Sequence, residues 1–203
     1  MPHHFTFKDF AANRTFKCDI LSQRCDYQMP TGKCKNLVAM GTPVCWIHLK
    51  YKYFVQIKDS GVRGKGVFCV DHRPQAHTLP IVPTFRRGDI IVPYAGEPMS
   101  RRKLSRRYGD NTAPYALAKE NGTVEDGACQ RGIGSMINAV MRGERKNVAY
   151  DETQGHQLVI RALRNIYDGE ELLTSYGNDY WHDDPTTHST VYKNKPMQPR
   201  RRR

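Results

Sequence analysis

The chain has 203 residues, with 32 lysines and arginines against 20 aspartates and glutamates, a formal charge of +12. At that length, a 38% hydrophobic content supports one modest core with attachments, not two full domains. The positive excess points to nucleic acid, chromatin or another polyanionic surface as a neighbour. No apolar run reaches the roughly 18 residues of a membrane-spanning helix, and Met1-Pro2-His3-His4-Phe5 lacks the apolar centre of a signal peptide, so the expectation is a soluble, intracellular protein.

Residues 1–17 carry weak pattern and read as an N-terminal extension. Four of the six cysteines fall before residue 46, whereas Cys69 and Cys129 stand alone, and this clustering favours a metal over a disulfide set. Cys25, Cys34, Cys45 and His48 run as Cys-x8-Cys-x10-Cys-x2-His, the donor types and number that zinc takes tetrahedrally. Thr31-Gly32 and Gly41-Thr42-Pro43 supply turns that bring distant cysteines together without a large core. Cys18 is an alternative to Cys25 as a ligand. Four ligands leave no open coordination position, so residues 18–49 are predicted to form a structural zinc module.

Tyr51-Lys52-Tyr53-Phe54-Val55-Gln56-Ile57 alternates as a strand does. Gly64-Lys65-Gly66 is too short for a dinucleotide fingerprint, and by itself reads as a hairpin bend able to approach a ligand closely. Val67-Phe68-Cys69-Val70 continues as a strand, and Asp71 to Thr84, with Pro74, Pro80 and Pro83, reads as a loop. Ile90-Ile91-Val92 is a buried strand, and Ser100 caps a helix reaching Tyr108 that carries Arg101, Arg102, Lys103, Arg106 and Arg107. Leu158-Val159-Ile160 and Leu172-Leu173-Thr174 are further strands. Gly169-Glu170-Glu171 before the last of these reads as a solvated turn in preference to an acid/base pair. Beyond Trp181, residues 182–203 are polar and end in four arginines, a basic tail expected to be mobile. Short strands broken by glycine and proline, with one or two helices, place the chain in the mainly β class, not among βαβ folds.

Taken together, several of these segments resemble SET-domain protein lysine methyltransferases. The resemblance rests on Gly64-Lys65-Gly66 followed by Val67-Phe68, on Tyr94-Ala95-Gly96-Glu97 after an aliphatic strand, and on Tyr115-Ala116-Leu117. It continues with Asp126 ahead of Ile137-Asn138, Asn147-Val148-Ala149, and the run from Ile160 through Gly169-Glu170-Glu171-Leu172 into Tyr176-Gly177, closing on Asp179-Tyr180-Trp181. It covers roughly residues 55–181, and the catalytic domain is expected over 50–181. The chain departs from the family at Ala139-Val140-Met141, where His-Ser-Cys is usual, in a longer loop before Asn147, and in lacking a Cys-x-Cys after Trp181.

The resemblance implies small β-sheets around a pseudoknot in which the Asn138 strand passes beneath the segment bearing Tyr176. It also implies S-adenosylmethionine as methyl donor. Tyr176 and Tyr115 would be the catalytic tyrosines; Gly64, Lys65, Gly66, Asn138, Ala139 and Trp181 would hold the cofactor. The implied activity is protein-lysine N-methylation, with a histone as acceptor, nucleosome or DNA contact through the basic patches, and a nuclear location, in a host if the source is viral. The Ala139 departure and the charge favour an alternative: a non-catalytic, zinc-containing chromatin or nucleic-acid binding module on a degenerate SET scaffold.

Overall fold

The computed structural model describes residues 3–9, 14–20, 22–39, 41–73, 82–109 and 113–177. Trp181, the 182–203 tail and the middle of the proline-rich loop, 74–81, lie outside the described residues. Among the described residues no helix is long and apolar enough to cross a membrane.

The apolar runs form short strands in two- and three-stranded sheets, as the mainly β reading expects. Leu158–Ala162 lies between Val148–Glu152 and Ile90–Pro93, antiparallel to both. Leu158, Val159, Ile160 and Ala162 are all buried, which is why this strand reads as a continuous apolar run and does not alternate. A second sheet orders Glu97–Met99, Val124–Asp126 and Ala116–Ala118, and Val55–Asp59 pairs with Lys65–Cys69 as a hairpin. One core joins the first sheet and the hairpin through Val55, Val67, Ile137, Ile160, Ile166 and Leu172, and Leu117 of the second sheet packs against it.

The sequence expectation fails at Tyr51–Phe54. Leu49–Tyr53 is a short helix continuing the turn Trp46–His48, and Phe54 stops it with a left-handed backbone (φ 54°), so the strand starts at Val55. Residues 1–17 also hold more structure than their weak pattern suggests, because His3–Asp9 and Arg14–Ile20 pair as an antiparallel hairpin. Cys18, on the second strand of that hairpin, forms a disulfide with Cys129, 111 residues away. This corrects the expectation that Cys129 stands alone and removes Cys18 as an alternative metal ligand. Spacing along the chain carries no trace of a pairing that distant.

The helix is Arg101–Tyr108, and Ser100 Oγ accepts the Lys103 backbone N–H at 3.3 Å as the predicted cap. Its five basic residues divide by face. Lys103 Nζ lies 2.5 Å from Glu97, and Arg107 bridges Glu97 (2.7 Å) and Asp126 (2.6 Å), whereas Arg101, Arg102 and Arg106 are exposed. Asp126 is fully buried and also accepts the Tyr108 hydroxyl (3.0 Å) and the Ala128 N–H (3.0 Å), so its charge is met from three directions. Burial pushes the Glu97 carboxyl upward, but hydrogen bonds from Lys103 and Arg107 outweigh it and hold the group below the usual range.

Removing the guanidinium leaves a buried carboxylate with neutral donors only. Arg107→Ala is therefore expected to lower unfolding free energy by about 3 kcal/mol in urea titrations at neutral pH. Because the Glu97 carboxyl is depressed in the folded state, its contribution is complete above the unfolded value near ~4.3 and is lost as pH falls through the lower folded value. The wild-type urea midpoint should fall from pH 5 towards pH 3, and less steeply in Glu97→Gln.

Candidate active site

Three stretches distant in sequence meet along one seam. Asn138–Ala139 pairs in parallel with Leu173–Thr174, an arrangement that adjacent segments joined by a tight turn cannot make. Asn147 seals the seam: its amide donates to Glu171 O (2.8 Å) and its carbonyl accepts the Leu173 N–H (2.7 Å). At the end of this run the Tyr176 hydroxyl donates to Ile137 O at 2.8 Å.

The third stretch enters through Gly64-Lys65-Gly66. Gly64 follows the turn Gly61–Arg63 with φ 75°, a conformation that favours glycine, while a side chain there would meet nothing within 4 Å. Gly66 is glycine for the opposite reason. A Cβ there would lie 2.3 Å from Glu171 Oε1 and 2.9 Å from Asn138 Nδ2, so its absence lets the strand Lys65–Cys69 close on the seam.

Glu171 is not in a solvated turn. Its side chain is 13% exposed, accepts the Ser60 hydroxyl (2.7 Å) and the Asn138 amide (2.9 Å), and pairs with Arg63 (3.4 Å). Asn138 donates also to Lys65 O at 3.2 Å, and Arg63 pairs further with Glu144. Glu170 points elsewhere: it accepts from Arg164 (3.0 Å) and from the Tyr167 N–H (2.8 Å), which overcome burial and hold its carboxyl below the usual range. Both carboxylates are thus anchors, and the two residues read alike in sequence because only their neighbours in space distinguish them.

These segments enclose a cavity of about 350 Å³, within the size range of small-molecule sites. Tyr94, Tyr115, Tyr150 and Tyr176 line it together with Arg63, Lys65, Arg131 and Asn138. Of the residues singled out in sequence, Tyr176, Tyr115, Lys65 and Asn138 therefore share one wall space. Gly66 backs that wall, Gly64 precedes it, Ala139 pairs beside it with Thr174, and Trp181 lies outside the described residues. Tyr94 belonged to a quoted motif without a role. Its hydroxyl donates to Tyr115 O, which fixes the segment carrying Tyr115, and burial followed by the Asp126 charge pushes its phenol far up, so it remains protonated. Arg131 carried no signal in the sequence; its guanidinium lies 4.2 Å from the centre of the Tyr115 ring.

Cys25, Cys34, Cys45 and His48 form a separate buried cluster whose ligand atoms all lie within 4.8 Å of one another. Tetrahedral zinc with Zn–S near ~2.3 Å separates its sulfurs by about 3.8 Å, so this donor set fits that ion. His48 turns Nδ1 to Cys25 and Cys45, 3.4 Å from each sulfur, and stacks on Tyr27 at 4.1 Å. Burial raises the Cys45 thiol, but the Asn36 amide and the His48 and Ile47 N–H groups pull it below its ordinary value, favouring the thiolate that a metal needs. Gly41, in the turn between Cys34 and Cys45, packs on the cavity side of the molecule, and a Cβ there would meet Gly132 N at 3.0 Å.

If this cluster holds zinc, purified protein should carry one equivalent by elemental analysis. Cys45→Ser or prolonged chelation should remove it, with a drop in thermal midpoint of several degrees.

No curated protein matches the chain in sequence. Among solved structures the chain is similar to the Chaetomium thermophilum polycomb repressive complex 2, at 22% identity over 64% of this chain and 16% of that chain, with a TM-score of 0.47. It is also similar to ctPRC2 in an autoinhibited conformation bound to S-adenosylmethionine, at 21% identity over 62% of this chain and 15% of that one, with a TM-score of 0.45. The chain thus spans a small part of the length of either. The family model of the SET domain matches residues 83–177. That span supplies Tyr94, Tyr115, Asn138 and Tyr176 to the cavity, so the part of the chain that is similar to the SET domain is the part that lines most of it.

Proposed function

We propose that the protein is an S-adenosylmethionine-dependent protein-lysine N-methyltransferase acting on a histone in the nucleus. The observation that carries this reading is the meeting of Tyr115, Tyr176 and Asn138 around one cavity in the stretch similar to the SET domain, with the Tyr176 hydroxyl held on Ile137 O. When bound, S-adenosylmethionine supplies a methyl group on a sulfonium sulfur. The residues present suit such a donor. Arg63 Nε is buried at the cavity without a hydrogen-bond acceptor among the described residues, leaving a donor for a carboxylate, and tyrosine faces accommodate a cation. Lys65, Gly64 and Gly66 would offer main-chain groups beside Asn138 and Ala139.

A lysine ammonium has no lone pair and must lose its proton before it accepts a methyl group. From an ordinary pKa near ~10.4 this costs roughly 3 kcal/mol at pH 8. A tyrosine-walled space lowers that cost by stripping water from the charged form more than from the neutral one. Tyr115 and Tyr176 would hold the amine along a fixed line, and the Tyr176 hydroxyl, already engaged with the Ile137 carbonyl, would stay oriented while it does so. No carboxylate or imidazole lines the cavity among the described residues, so the amine's proton would leave to water at the mouth. The zinc cluster would be structural, since its four protein ligands leave no position for substrate. The non-catalytic alternative draws on Ala139, yet Ala139 meets its neighbour through backbone pairing, where its side chain is not needed.

Tyr176→Phe should lose most methyl transfer to histones while the heat of S-adenosylmethionine binding in calorimetry stays near that of the wild type. Full activity in the variant would move the role elsewhere. A nucleosome contact would use the exposed face of the Arg101–Tyr108 helix. Replacing Arg101, Arg102 and Arg106 together by glutamine should reduce methylation of nucleosomes several-fold and leave free histone unaffected. Arg107 is retained because it holds Asp126.

A further inference from the structure

We propose that Arg63 binds the carboxylate at the amino-acid end of the methyl donor, and that Glu144, on the loop 141–146, is the positioning residue that sets the Arg63 guanidinium for it. The chain then selects donors by that carboxylate. This rests on the reading of the cavity as a site for S-adenosylmethionine.

The guanidinium is one acceptor short. Arg63 ends the turn Gly61–Arg63 and lines the cavity with its side chain 15% exposed. Nη1 lies 3.4 Å from Glu171 and Nη2 contacts Glu144, whereas the buried Nε has no acceptor among the described residues. A buried N–H left unmet is costly enough to call for a partner. The cavity walls do not supply one, since no carboxylate lines the cavity among the described residues. A ligand carboxylate, planar and always seeking donors, suits the fixed fork of a guanidinium. Asn138, which shares Glu171 with Arg63, and Lys65 line the same space.

Glu144 grips the side chain from outside the cavity. It does not line that space; its carboxylate accepts the Met141 N–H at 2.7 Å, and its own N–H donates to Met141 O at 3.0 Å, which closes the loop into a turn. The Met141 N–H and then Arg63 hold its carboxyl below the usual range. Arg142, Arg145 and Lys146 are exposed on the same loop, so its single acid is the residue turned to Arg63. Glu171, fixed by Ser60 and Asn138, takes the other arm. Two anchored carboxylates thus set the plane of the guanidinium and leave Nε unclaimed.

The test is calorimetric and needs no turnover. The full chain is titrated with S-adenosylmethionine and with decarboxylated S-adenosylmethionine, which keeps the adenosine, sulfonium and amine and lacks only the carboxylate. In the wild type the decarboxylated compound should bind about tenfold or more weakly, the scale of one hydrogen bond to a charged group. Arg63→Gln should bring the two affinities together by weakening the intact donor, its unchanged affinity for the decarboxylated compound showing that the site is folded. Glu144→Ala should lower the preference several-fold, and Glu144→Gln, whose amide oxygen still accepts from Arg63, should keep it. Equal wild-type affinities, or a preference that survives in Arg63→Gln, overturn the assignment of the carboxylate to Arg63. Where Arg63→Gln does not fold, the wild-type preference and the two Glu144 variants decide. Glu144→Ala weakening both compounds alike makes the loop merely structural, and a preference that rises there makes Glu144 a competitor for Arg63; either overturns the positioning role. A wild type that binds neither compound overturns the function proposed above, and this inference with it.

Discussion

The cavity depends on a carboxylate that the molecule holds largely away from water. Glu171 takes hydrogen bonds from Ser60 and Asn138 and pairs with Arg63, so one side chain joins the turn before Lys65, the Asn138 strand and the run leading to Tyr176. Each of those segments is too short to hold its position through a sheet of its own. A carboxylate in a half-dry setting demands donors, and the donors it gathers here belong to the segments that build the site. The glycine at 66 is the steric counterpart, since any side chain there would occupy the space of the Glu171 carboxylate.

A second constraint links the cysteine cluster to the same site. The cluster's ligands lie within Cys25–His48, yet the loop among them carries Gly41 onto the main chain of Arg131 and Gly132. Gly132 in turn packs on Ala95, next to Tyr94, whose hydroxyl fixes Tyr115. Close-packed backbone transmits displacement because it has no soft side chain to absorb it. The cluster therefore buttresses one wall of the cavity in addition to stabilising its own loops. The Cys18–Cys129 disulfide fastens the N-terminal hairpin to that wall as well.

The Cys/His cluster was legible because donor type and spacing are local properties, and the buried strands because a continuous apolar run has few other uses. The Ser100 cap was legible for the same reason: its hydrogen bond spans three residues. Tyr115, Tyr176, Asn138 and Lys65 were found through resemblance to a family, and the structure brings them to one space. Arg131 and the division between Glu170 and Glu171 were not legible. Two adjacent glutamates have the same chemistry, and which one meets Ser60 and Asn138 depends on chain folding over more than 100 residues. The basic helix misled similarly, since Lys103 and Arg107 differ from their neighbours only in facing Glu97 and Asp126.

By itself the sequence determined the elements whose causes lie within a few residues: the Cys/His donor set, the capped helix, the apolar central strand, the glycine positions and the positive charge. Tertiary structure alone decided which tyrosines share a wall, which glutamate meets Ser60 and Asn138, which arginines remain exposed and which cysteines join. The physical reason is range. Caps, turns and alternation act through neighbouring backbone groups, whereas burial and ion pairing depend on distances set after the whole chain has closed.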